Sequence, residues 1–157
     1  MKKKTNISIP FDNTYNWPTP NMGFHRKIPK ILRDHGLKAT DARKDLLNLF
    51  HKYKIPLTAE MIAKRFFHRD FKLSTIYRIL ESFERKGLIR RVDLRTNSIF
   101  YEINEHHHHH IVCQNCGIIE EIDGCLVGKI IPKSKKFAMV NEHTLEFFGK
   151  CKSCTKS

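Results

Sequence analysis

Apolar residues recur at helical spacing through much of the first half of the chain. Leu73, Ile76, Leu80 and Phe83 follow one another at intervals of three, four and three, which draws one apolar stripe along a helix. Thr75, Arg78, Ser82 and Arg85 fall on the opposite face, and Gly87 stops the helix. Upstream, a helical pattern from His25 to Asp34 ends at Gly36. Thr40 and Asp41 offer N-cap and first-turn chemistry for a second helix that turns Leu46, Leu47, Leu49 and Phe50 inward. Pro56 breaks the chain, and Thr58 caps a third helix with Met61, Ile62, Phe66 and Phe67 inward. Two strand-like runs, Leu88–Val92 and Ser98–Glu102, follow the fourth helix and are joined by a polar turn with Arg95, Thr96 and Asn97. Residues 1–23 hold Pro10, Pro18, Pro20 and Gly23 without a sustained apolar period. They read as a flexible arm, or as a segment ordered only by packing on something else.

Three helices, a fourth helix and a β-hairpin over residues 24–102 describe a winged helix-turn-helix. Its fourth helix would enter a DNA major groove while the hairpin rests on phosphates. Charge changes the weight of that reading. The whole +13 surplus lies in residues 1–100, with 22 Lys and Arg against 9 Asp and Glu; residues 101–157 hold 7 of each. A basic front part suits a polyanion, although a solvated basic surface has the same composition. Arg43, Thr75, Tyr77 and Arg78 are the candidates for DNA contact, and Tyr77 could equally close the edge of the core.

Length and composition exclude other classes. A chain of 157 residues, 40% apolar, can bury a core as one domain or two small ones. No run approaches the roughly 18 apolar residues of a membrane span. Met1-Lys2-Lys3-Lys4 continues into polar sequence rather than a secretion signal. A soluble, cytoplasmic protein without a membrane partner is expected.

All five cysteines lie in the neutral rear part. Cys113-Gln-Asn-Cys116 and Cys151-Lys-Ser-Cys154 are two C-x2-C knuckles, and two such turns fill the four positions of a tetrahedral ion. In a cytoplasmic chain zinc is favoured over disulfides, and a closed four-cysteine site is structural. His106 to His110 run straight into Ile111-Val112-Cys113. In an extended strand, His106, His108 and His110 would face one side and His107 and His109 the other, so one strand could feed two metal sites. Glu102, Glu105, Glu120, Glu121, Cys125 and His143 are the nearby partners. A metal joining Glu102 to His108 and His110 would convert binding energy into one interdomain geometry. An adventitious His-rich patch is the plain alternative. There is no H-E-x-x-H, phosphate loop or nucleophile elbow, so an enzyme is not expected.

Gly36-Leu37-Lys38-Ala39-Thr40 with Arg43, Ser74-Thr75-Ile76-Tyr77-Arg78, the His block leading into Cys113-x2-Cys116-Gly117, and His143 eight before Cys151 resemble the ferric uptake regulator superfamily over about residues 25–155. The resemblance implies an α+β fold: a winged-helix domain, then a small α/β dimerisation domain over residues 103–157. It implies a homodimeric repressor of metal-uptake genes on double-stranded, AT-rich palindromic operators. It assigns Cys113, Cys116, Cys151 and Cys154 to structural zinc, and Glu102, His108, His110 and Glu121 to metal sensing. His107, His109 and His143 match a further site, with Cys125 as a ligand there, a redox-sensitive thiol or a small buried residue. Iron and peroxide sensors carry a His before the third helix, where this chain has Pro56, and often an Asp where it has His109. The His block and Glu121-Ile122-Asp123-Gly124-Cys125 are more similar to the zinc uptake regulators, so zinc sensing is expected. Fe(II) or Mn(II) is the alternative at the regulatory site. That site's fourth ligand stays open among Asp93, Glu105 and Glu121.

Overall fold

The computed structural model of the chain describes residues 24, 26–66, 72–122, 124–125, 135–140 and 143–155. The arm 1–23, His25, Phe67 and His68 lie outside the described residues. The chain divides into two units, with the break between Glu105 and His106.

The first unit holds helices α1 (Ile28–Asp34), α2 (Asp41–Tyr53), α3 (Ala59–Arg65) and α4 (Leu73–Arg85), then antiparallel strands β1 (Ile89–Val92) and β2 (Phe100–Ile103). The boundaries have local causes. Gly36 and Gly87 follow α1 and α4 with φ of 70° each, in the left-handed region where a side chain is penalised. Thr58 Oγ1 accepts the Met61 N–H at 3.3 Å and so caps α3. Thr40 occupies the same place before α2, but its side chain makes no cap bond, which leaves Asp41 to complement the helix dipole.

On α4 the apolar stripe packs as the spacing predicts at Ile76, Leu80 and Phe83, each 1% exposed or less, and Ile79 joins them. Leu73 departs from it. As the first residue of α4 it is 40% exposed, with no preceding turn of its helix beneath it. That helix packs on α3 and β1, and Leu32, Leu46, Leu47 and Phe50 are buried in the same unit. The hairpin is tied in by Leu57, whose N–H donates to Tyr101 O at 2.8 Å while the Tyr101 N–H donates back at 2.9 Å.

The second unit is built on β3 (His109–Cys113). Strand β4 (Ile119–Ile122) pairs with it antiparallel on one side, and β5 (Glu146–Gly149) pairs parallel on the other. A one-turn helix, α5 (Lys152–Thr155), follows β5. Val112 and Ile119, opposite each other in β3 and β4, are buried. Among the described residues no helix is long and apolar enough to cross a membrane.

Candidate metal centres and nucleic-acid face

The first knuckle starts where β3 ends. The Gly117 N–H donates to Cys113 O at 2.9 Å with Gly117 at φ 75°, and the Cys113 N–H donates to Ile118 O at 2.9 Å. This turn brings Cys116 back over Cys113. The second knuckle is the first turn of α5, where the Cys154 N–H donates to Cys151 O at 3.0 Å. Parallel pairing of β3 with β5 sets the two turns side by side. The Cys151 N–H donates to Cys113 Sγ at 3.2 Å, and Cys116 Sγ lies 3.6 Å from Cys151 Sγ. All four sulfurs lie within 4.8 Å of one another, and none is in a disulfide. Four thiolates around Zn(II) at about 2.3 Å stand roughly 3.8 Å apart, so this donor set fits zinc with little movement.

The thiols are electrostatically unequal. N–H groups of Cys116 and then Cys151 hold Cys113 down to about 6. Cys116 receives the Ile118 N–H, which lowers it, but burial and the neighbouring sulfurs of Cys113, Cys151 and Cys154 push it up to about 12. Cys151 is also lowered, chiefly by the Cys154 N–H and thiol. The cluster therefore carries thiolate before any ion is added.

The rings of the histidine block alternate, although only His109 and His110 lie in β3 and His106 sits at a bend before it. On one face His106 and His108 have centroids 5.0 Å apart, and His108 and His110 4.9 Å. On the other, His107 and His109 are 4.7 Å apart and His107 and His143 4.4 Å. Here His107 Nε2 lies 3.2 Å from His109 Nε2, and Cys125 Sγ 3.1 Å from His143 Nε2. Three imidazoles and a thiol thus converge, with all ligand atoms within 4.8 Å. A carboxylate lines the other face. Glu121 Oε1 is 2.9 Å from His106 Nε2 and 3.7 Å from His108 Nδ1. His108, His109 and His110 are 9%, 2% and 1% exposed, so their ring nitrogens need partners to offset the lost hydration.

Glu146 is a residue that sequence reasoning missed. It pairs with His110 across the parallel β3–β5 ladder, and its Oε2 lies 3.5 Å from His110 Nδ1. A carboxylate behind a ligating imidazole orients the ring and strengthens it as a donor. Only the strand register, not any local motif, could have paired these two.

In the first unit, Glu102 is 4% exposed and its Oε1 accepts Arg90 Nε at 2.6 Å. Asp93 accepts the Arg95 N–H at 2.8 Å within the wing, and Glu105 lies 3.5 Å from His51. Each of these two carboxylates thus has a neighbour in its own unit.

The face of α4 opposite the core exposes Thr75, Tyr77 and Arg78. No acidic residue stands in the first turn of α4, which suits approach to phosphates. The Tyr77 hydroxyl donates to Glu60 Oε1 at 2.7 Å, and this bond raises Tyr77. Burial would raise Glu60, but the same hydroxyl holds it below its ordinary value. Arg43 Nη1 donates to Lys38 O at 3.1 Å, bracing the turn between α1 and α2.

Compared with known proteins, residues 34–148 match the ferric uptake regulator family. A ferric uptake regulation protein of Staphylococcus epidermidis is 36% identical over 135 residues, spanning 82% of this chain and 94% of that one. The solved ferric uptake regulator of Vibrio cholerae is 27% identical with a TM-score of 0.65, over 78% of this chain and 98% of its own. A zinc uptake regulator complexed with zinc and DNA shares the fold at 19% identity and a TM-score of 0.59, over 88% and 97% of the two chains. The chain belongs to the ferric uptake regulator family.

Proposed function

We propose that this family member is a zinc-responsive repressor that binds an AT-rich palindromic operator as a homodimer and controls metal-uptake genes. The family's members are transcription regulators, not enzymes. The zinc reading is supported above all by Cys125 Sγ, 3.1 Å from His143 Nε2 and grouped with His107 and His109. Three imidazoles and a thiolate suit tetrahedral Zn(II) better than octahedral iron.

Three roles follow for the residues. Cys113, Cys116, Cys151 and Cys154 hold structural zinc and tie β3 to the turn after β5. His108, His110 and Glu121 make the sensing centre, to which the sequence resemblance adds Glu102 from the first unit. Arg43, Thr75, Tyr77 and Arg78 face DNA, with α4 in the major groove. A bound ion restricts the freedom of its ligands. In a dimer this favours recognition helices held at successive half-sites, about 34 Å apart.

A second reading, iron or manganese sensing, is favoured by the iron-regulator name of the Staphylococcus epidermidis relative and by the carboxylate of Glu121 beside two imidazoles. Selection of genomic DNA fragments on the full chain tests the proposal. With zinc it should enrich AT-rich palindromes, and with chelator nothing; equal enrichment in both, or none, contradicts it.

A further inference from the structure

We propose that His106 is a metal ligand. With His108 and Glu121 it makes a self-contained divalent transition-metal centre of two imidazoles and one carboxylate. The sequence resemblance gives His106 no role. Three observations give it one. His106, at the bend before β3, lies beside His108, with ring centroids 5.0 Å apart. Antiparallel pairing of β3 with β4 sets Glu121 opposite His110, so its carboxylate reaches back toward His108. Glu121 Oε1 then stands 2.9 Å from His106 Nε2 and 3.7 Å from His108 Nδ1, and the three ligand atoms lie within 4.8 Å of one another.

The position of this centre suggests its use. His106 has a side chain 54% exposed, and His108 only 6%. One ligand therefore faces solvent and another the interior, as an exchangeable site requires. Two imidazoles and a carboxylate leave coordination positions open, unlike the closed four-cysteine cluster. His108 Nδ1 also lies 3.1 Å from His106 O, so an ion taken at that nitrogen displaces this hydrogen bond. The centre thus couples occupancy to the path of the chain at the start of the second unit. It rests on the metal-responsive reading above and names the ligand by which the ion enters.

The test is a cobalt(II) titration of the full chain with its four-cysteine site already filled with zinc. Cobalt at Cys125 gives a thiolate charge-transfer band, whereas the His106 centre gives visible d–d bands without one. In His106→Ala the thiolate-free signal should weaken by at least about tenfold, the smaller loss seen even when an outer partner of a ligand is removed. Zinc content and the charge-transfer band should stay. Since His106 is exposed, the variant carries no folding hazard, and Glu121→Gln should behave alike. A thiolate-free signal in His106→Ala that titrates as in the native chain overturns the proposal. If that occurs while operator binding stays metal-dependent, only the ligand assignment fails. If His106 governs cobalt binding but the operator is bound regardless of metal, only the repressor reading fails.

Discussion

Arg90 Nε donates to Glu102 Oε1 at 2.6 Å, across the directly opposed positions of β1 and β2. The Glu102 side chain is 5% exposed and Arg90 33%, so a carboxylate inside the winged-helix unit is balanced by a cation at its edge. Removing one partner of a buried pair strands the other, at about 3–5 kcal/mol. Partial exposure of Arg90 brings the expected loss in Arg90→Met to about 2–3 kcal/mol. Urea unfolding measures it. The double variant Arg90→Met with Glu102→Gln should recover most of the loss; a double variant as unstable as the sum of the singles contradicts the pairing.

The four-cysteine cluster yields a substitution and a pH prediction. Cys151→Ser should release zinc and lower the melting temperature of the second unit, because metal-binding energy is folding energy here. Retained zinc with an unchanged melt contradicts the assignment.

In the metal-free chain, Cys113 is lowered from its ordinary 9.0 to about 6, so it adds stability that is full above 9.0 and lost as pH falls through about 6. Cys151 is shifted the same way. Cys116, raised to about 12, adds stability that is full below 9.0 and changes only as pH rises beyond it. Metal-free stability should therefore climb between these limits, and Cys113→Ser should flatten the climb. Urea midpoints at stepped pH read this directly.

For the nucleic-acid face, Arg78→Ala should weaken operator binding by about 1–3 kcal/mol without altering metal content. Tyr77→Phe should cost less, since its hydroxyl is already given to Glu60. Fluorescence anisotropy on labelled operator compares them. The same assay should show affinity falling steeply with salt, as phosphate contacts by the basic half require.

Within α4 the core predicts a contrast. Leu80 is fully buried and Leu73 is 40% exposed, although both belong to the stripe read from spacing. Leu80→Ala should destabilise by about 2–5 kcal/mol. Leu73→Ala should stay within about 0.5 kcal/mol. Thermal unfolding of the two variants decides it.

What was legible in the sequence was local. Helical period, the Thr58 cap and the glycines after α1 and α4 are written within a turn or two of the residues they govern, and these elements formed where expected. Alternation of the five histidines is what an extended run implies, so their division into two faces could be read without coordinates, although only His109 and His110 lie in β3. Non-local pairing could not. Strand β5 has no strong pattern of its own, and its parallel alignment with β3 brings Glu146 to His110. Likewise, the proximity of Glu121 to His106 depends on the β3–β4 register rather than on any motif. Leu73 was misplaced because period marks a face but not where the helix begins to be covered.

DNA binding gated by zinc is tested most directly by one titration. Operator affinity of the full chain should be measured against buffered free zinc, ferrous iron and manganese, with the four-cysteine zinc left in place. Tight binding that appears with zinc and is lost when zinc is buffered away is the predicted result; tight binding driven only by ferrous iron, or unchanged by any metal, contradicts it.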